Sequence, residues 1–289
     1  MMSRHKSKPK LTPIWLPYIR EKLADWESRH GLTLTPGPKN TTASKMLADT
    51  WNGGDSLRIA PIWWVSRDMT TLATDTAIHD LDFPRVDPPS DTGFIVFEGG
   101  IPAPPLDCFP DGSTCTVDAM KWTVYKGLNT QGTPYPPMVE IYTREPAFVE
   151  RCVPGLPLAY VLLPFEVRLP LAVRILWAVW TLSAQPGISE TRAPRTTPLD
   201  RVPARYERTE IPRVKMLVLR ENLHRPGGKA EPGETTREWT HRWIVRGFWR
   251  EQAYGKDHAL RRRQWIPPYV KGPADKPLIA KETVRIWRR

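Results

Sequence analysis

Histidine, arginine, tryptophan and carboxylate side chains crowd into one stretch, HRWIVRGFWREQAYG at 241–255, with KDH and then RRR close behind at 256–258 and 261–263. Residues of these types support two kinds of chemistry. His241, His258 and Glu251, with Asp257 nearby, are the general acid–base groups that a metal-independent ribonuclease needs, and the arginines would stabilise charge on a phosphorane. The other chemistry is binding. Arg242, Arg246, Arg250, Arg261, Arg262 and Arg263 would neutralise phosphates, and Gln252 adds a polar contact. Trp243, Phe248, Trp249 and Trp265 would offer stacking faces, each worth roughly 1–3 kcal/mol per base. Gly247 permits a close approach or a bulge, and Gly255 the turn into the arginine run. No spacing between the histidines demands catalysis, and the chain has no P-loop, G-x-S-x-G or carboxylate cluster. Binding is therefore the favoured reading. Two others compete with it: tryptophans that are plain core beneath a solvated arginine face, and a hot spot for a protein partner. Salt dependence separates a protein partner from nucleic acid, because phosphate contacts release counterions.

The charge distribution points the same way. From Arg201 to Arg289 there are 22 Lys+Arg against 10 Asp+Glu, a net of +12, while the remaining 20 and 21 nearly cancel. An excess confined to an aromatic-rich segment suggests a polyanionic partner, most often RNA or a ribonucleoprotein; a host or defence-system protein is the other candidate. No residue pattern calls for a cofactor. His79, Asp80 and Asp82 in IHDLDFP have metal-ligand character, but polar turn residues before FPRVDPP explain them, and no metal site is expected. Cys108, Cys115 and Cys152 show no CxxC spacing and are expected as reduced thiols, although a disulfide across the 108–115 turn is conceivable. The basic start MMSRHKSKPK is followed by no apolar core of a signal peptide, and no run of 18 apolar residues exists, so a cytoplasmic protein without membrane contact is expected.

The elements that must position these residues follow from periodicity and punctuation. The 32 prolines in 289 residues, about twice ordinary usage, favour many short elements over long helices. Residues 1–12 read as a flexible tail and 13–187 as a core domain. Within the core, helices are expected at 13–31, where Ile19, Leu23 and Trp26 share a face, and at 42–54, ended by Gly53-Gly54. Strands are expected at 57–66, 92–100, 119–127 and 138–143, rich in β-branched and aromatic residues. Their spacing suggests a mixed or antiparallel sheet rather than repeated βαβ units. The stretch 166–183 carries a single charge from Leu169 to Leu182 and reads as a buried helix, with Trp177 in the core. Polar, proline-dotted 188–212 reads as a linker. The last unit, 213–289, reads as basic and β-rich: strands at 214–220, 240–250, 260–272 and 281–289, and a loop at 225–236. The fold class is α+β.

One run carries a resemblance. Arg246, Gly247, Trp249, Arg250, Gln252 and Gly255, then Arg261–Arg263, then Trp265, Ile266, Pro268 and Val270 spell R-G-x-W-R-x-Q-x-x-G, a basic run and W-I-x-P-x-x-V. This resembles the C-terminal signature of a widespread plasmid- and phage-borne family, one member of which is an anti-CRISPR protein directed at a type V-A effector nuclease. The order of the segments PIWWV, TGFIVFEGG and LPLAVRILWAVWTLSAQPGISE is similar as well. The resemblance implies an accessory protein of a mobile element that interferes with another system's gene expression by recognising a nascent chain or its mRNA. The chain departs from the usual P-H-x-R-R-G-H-W in two places: Phe248 stands at one family histidine and Trp243 at the other, with His241 two residues away. What remains is a set of arginines, tryptophans and a glycine, which suits a binding surface better than a catalytic centre.

Overall fold

A computed structural model describes residues 11–30, 53–80, 82–101, 106–107, 114–124, 132–133, 137–146, 149, 156–161, 170–185, 187–194, 214–220, 239–273 and 275–280. The fold is α+β. Seven strands form one mixed sheet: β1 (Ile62–Val65), β2 (Thr92–Phe97), β5 (Ala119–Thr123), β6 (Met138–Thr143), β7 (Ala159–Val161), β8 (Ser189–Arg192) and β9 (Lys215–Leu219). Two short strands between them, β3 (Leu106–Asp107) and β4 (Thr114–Cys115), pair only with each other. The order across the sheet is β7-β6-β5-β2-β1-β9-β8. The central strands β2, β1 and β9 are parallel, and every strand added outside them is antiparallel.

Central parallel strands are covered on both faces, so they read as unbroken apolar runs. β2 obeys this: Phe94 and Val96 point into one core, Ile95 and Phe97 into the other. The first core is closed by α1 (Leu16–His30) and α2 (Gly53–Ile59), through Leu16, Ile19, Leu23 and Leu57. The second is closed by α3 (Arg67–His79) and α4 (Pro170–Ser183), through Met69, Leu72, Ile175, Val179 and Trp180. Trp180 packs edge-on against Trp122 at 5.3 Å, and the Trp122 indole N–H donates to the Ser90 carbonyl.

Several sequence expectations shift. The helix expected over 42–54 falls outside the described residues up to 52, and α2 begins with the glycine pair expected to end a helix. The strand expected from 57 starts at Ile62, because Pro61 disfavours helical backbone at Ala60 and cannot donate the next helical hydrogen bond. Helix α3 was not anticipated. Four threonines dilute its apolar stripe of Met69, Leu72, Ala73 and Ala77, and the structure accommodates three of its threonine hydroxyls by donating them to carbonyls one turn back. With α3 joining two parallel neighbours, β1–α3–β2 is one βαβ unit inside the mixed sheet. In α4 the fully enclosed tryptophan is Trp180; Trp177 is half-buried, under the Arg85 guanidinium at 4.4 Å. The segment expected as a linker from 188 opens instead as edge strand β8. Strand β9, expected in the C-terminal unit, lies between β1 and β8 in the main sheet. The remainder of the linker (195–212), the 225–236 loop, the 281–289 strand, Cys108 and Cys152 lie outside the described residues, as does the side chain of Cys115. No described helix is long and apolar enough to cross a membrane.

Beneath α1 the core is polar. Lys121 on β5 sits 2.6 Å from Glu140 on β6 and 3.6 Å from Glu27 on α1, and the Tyr142 hydroxyl donates to Glu27 at 2.5 Å. Glu27, Lys121 and Glu140 are all enclosed. Two carboxylates share one ammonium, so one of them gains by holding a proton. Burial and the neighbouring Glu140 charge push the Glu27 carboxyl up to about 7, against the opposing pull of Lys121 and Tyr142. Burial alone would lower the Lys121 ammonium, but Glu140 and Glu27 outweigh it and hold it above the ordinary lysine value.

Two outcomes follow from this packing. Trp180→Ala is expected to cost about 3–5 kcal/mol, as large-to-small core changes do, and Trp177→Ala roughly half of that or less, both read by urea unfolding. The second outcome concerns pH. Glu27 releases its proton near 7 when folded and near 4.5 when unfolded. The stability it contributes is therefore fully present below about pH 4.5 and lost as pH rises through 7. The Tm is expected to fall by several degrees from pH 5 to pH 8 in wild type, and Glu27→Gln to flatten that slope.

Candidate functional site

The C-terminal region forms two two-stranded antiparallel ribbons. One pairs β10 (Trp243–Val245) with β13 (Tyr269–Lys271); the other pairs β11 (Phe248–Tyr254) with β12 (Leu260–Ile266). The single strand expected over 240–250 is thus broken at Arg246-Gly247. The break falls at a close approach: a Cβ on Gly247 would stand 3.0 Å from Pro268 and 3.1 Å from both the Asp80 carboxylate and the Ile266 carbonyl. Glycine lets the two ribbons and the end of α3 meet there without displacing a neighbour.

The same seam holds the ribbons to the body. The buried Trp265 indole N–H donates to the Asp80 carboxylate at 3.2 Å, and the ring joins the core under α3 and α4. Trp249, opposite Trp265 in register, donates to the Asp82 carbonyl at 3.3 Å. Arg242 forms a 2.7 Å ion pair with Asp68 at the start of α3 and donates to the Lys276 carbonyl. Arg242, Gly247 and Trp265, expected as partner-binding residues, are therefore placed as structural ones. Asp80 is engaged with tryptophan, and the His79 ring lies 3.1 Å from Asp75. Among the described residues no group of three or more His, Cys, Asp or Glu side chains is placed to hold a metal ion.

Beyond the seam, the β11–β12 ribbon has two faces set by register, since directly opposed residues share a face. Trp249 with Trp265, Glu251 with Arg263, and Ala253 with Arg261 share the face that meets the body at its root. The Arg263 guanidinium covers the Trp249 ring at 4.6 Å, and Arg261 donates to the His258 carbonyl in the turn. The outward face pairs Phe248 with Ile266, Arg250 with Gln264, Gln252 with Arg262 and Tyr254 with Leu260. It contains no acidic residue. Phe248, Tyr254 and Leu260 are 49%, 42% and 53% exposed, too wet to be core, and the Arg262 guanidinium lies 5.7 Å from the Tyr254 ring. Gly255, at φ 78°, opens the turn.

The acid–base candidates are not brought together. His258 occupies the tip of the β11–β12 turn, at φ 54°. His241 precedes β10 on the other ribbon, next to the Thr240 hydroxyl, and Glu251 is exposed partway along β11. His241 instead shares a cleft with Asp75, Trp243 and Arg246. Sequence reasoning missed Asp68, Asp75 and Tyr254. The first two belong to the unanticipated α3, whereas Tyr254 was legible once the register of the hairpin was known.

No family model, curated protein or solved structure matches the chain.

Gly247→Ala tests the seam. The added methyl would press on Pro268, the Ile266 carbonyl and the Asp80 carboxylate that holds Trp265, so a loss of about 1–3 kcal/mol is expected, as for other overpacking changes. Urea unfolding measures the loss, and limited proteolysis should show faster cleavage within 239–273.

Proposed function

We propose that this protein binds single-stranded RNA, free or within a ribonucleoprotein, along the outward face of the β11–β12 ribbon. The observation that carries the reading is the make-up of that face. Arg250 and Arg262 stand among the exposed rings of Phe248 and Tyr254, with amide side chains Gln252 and Gln264 and no carboxylate. Same-face neighbours along a strand lie about 7 Å apart, so the two guanidiniums stand in successive rows between a ring at either end, an arrangement that suits an extended chain of bases and phosphates. Arg261 and Arg263 on the opposite face add positive potential. The resemblance of 246–270 to a plasmid- and phage-borne signature supplies the setting. In it the protein is a mobile-element accessory factor of anti-CRISPR type, acting on the expression of another system by holding RNA or a nascent ribonucleoprotein. Cleavage is not part of the proposal, because His241 and His258 stand on separate ribbons. A protein partner is the second reading, favoured by the exposure of Phe248 and Leu260.

The test is a salt titration of affinity for a labelled single-stranded RNA. The double variant Arg250→Ala/Arg262→Ala is expected to bind at least about tenfold more weakly and to flatten the slope of log K against log salt by about 1.4, at about 0.7 per lost phosphate contact. Tyr254→Ala should weaken binding without changing that slope, since stacking releases no counterions. Circular dichroism should be unchanged in both, exposed arginines contributing little to stability. Absence of binding by wild type at low salt overturns the proposal in favour of a protein partner.

A further inference from the structure

We propose that the cleft at the foot of the ribbons is a pocket for one nucleotide whose base bears an exocyclic amino group. The proposal rests on the RNA-binding reading above and adds a base preference to it. The cleft is lined by Asp75 from α3, by His241, Trp243, Ile244 and Arg246 in and beside β10, and by Ile279 and Ala280. It is a small open cleft of about 120 Å³, of a size for a single ring.

The lining selects the ligand. It holds a cation, an imidazole, an indole and a carboxylate together. A bare anion would suit Arg246 and His241 but meet the Asp75 charge. An apolar ligand would gain contacts with Ile244, Ile279 and Ala280 but would strip water from Asp75 and Arg246 without a compensating hydrogen bond. A nucleotide satisfies all of them: its phosphate at Arg246 and His241, its ring against Trp243, and a donor on its base edge toward Asp75. The Asp75 side chain is 10% exposed and His79 stands 3.1 Å from its Oδ1; the proposal assigns Oδ2 as the acceptor. The indole wall is itself braced, with the His241 ring edge-on to Trp243 at 6.2 Å and the Trp239 ring 4.5 Å from it. Cytosine presents an N4 amino donor at the position where uracil presents an O4 carbonyl, and a carboxylate accepts from the first and repels the second. The pocket therefore prefers cytosine over uracil at equal ring size.

The experiment compares oligocytidine and oligouridine of equal length by fluorescence anisotropy, with CMP and UMP titrated separately against intrinsic tryptophan emission. Wild type should bind oligocytidine about tenfold more tightly than oligouridine, as one hydrogen bond to a charged acceptor allows. CMP should quench tryptophan emission at concentrations where UMP does not. Asp75→Asn should bring the two oligomers to within about twofold, by weakening oligocytidine and relieving the repulsion of the uracil O4, and Arg246→Ala should weaken CMP. Equal affinity of wild type for the two oligomers, or a preference that persists in Asp75→Asn, overturns the pocket while leaving the ribbon reading intact. Binding of neither oligomer overturns the ribbon reading itself. The CMP and UMP comparison needs no variant, so it decides the matter even if Asp75→Asn fails to fold.

Discussion

A single carboxylate, Asp80, receives the Trp265 indole N–H in the space that Gly247 leaves open, and the placement of both C-terminal ribbons depends on it. A two-stranded ribbon is marginal in water without a surface to pack on. Here the surface is the end of α3, reached by one buried indole, one half-exposed indole and the Arg242–Asp68 ion pair near the opposite end of the same helix. Two anchor points on one helix fix orientation as well as position. The hydrogen bonds matter because the alternative is costly: a buried indole N–H without an acceptor loses its desolvation energy outright.

That anchoring divides the basic-aromatic residues into two populations. Those at the root, Arg242, Gly247 and Trp265, spend their chemistry within the molecule. Those past the root, Phe248, Arg250, Tyr254 and Arg262, face solvent on a surface without a carboxylate. The division explains how one stretch of chain is rich both in residues that belong to a core and in residues that no core would accept. The turn at the ribbon's tip is itself unusual, with Asp257 and His258 both in left-handed backbone beside Gly255. Strain of that kind is tolerated where cross-strand pairing on both sides over-determines it.

The helical layer on the other side of the sheet follows different rules. There α1 is held over β5 and β6 by a buried Glu27–Lys121–Glu140 group with Tyr142, as well as by Leu16, Ile19 and Leu23. Apolar residues of similar volume would seal such a seam at least as firmly. The polar group instead makes the attachment of α1 dependent on a proton, whereas α3 and α4 pack through apolar side chains on the opposite face.

The sequence by itself determined most elements that announce themselves through local pattern. Strands β2, β5, β6 and β9 were legible because β-branched and aromatic residues are bounded by proline and glycine, and α1 because Ile19, Leu23 and Trp26 recur at helical spacing. The concentration of arginine and aromatic residues after 240 was legible in the same way. Helix α3 was not, because threonines blur its stripe and become favourable only when their hydroxyls find the preceding turn. Nor could composition tell Trp249 from Trp265 or Trp177 from Trp180, identical side chains whose exposure depends on what lies across from them. Tertiary structure alone decided which arginines are free, since Asp68, Asp80 and Asp82 lie more than 150 residues from the partners they hold. Local pattern records the period of a strand or helix, but a hydrogen bond between distant segments exists only after the chain has closed upon itself.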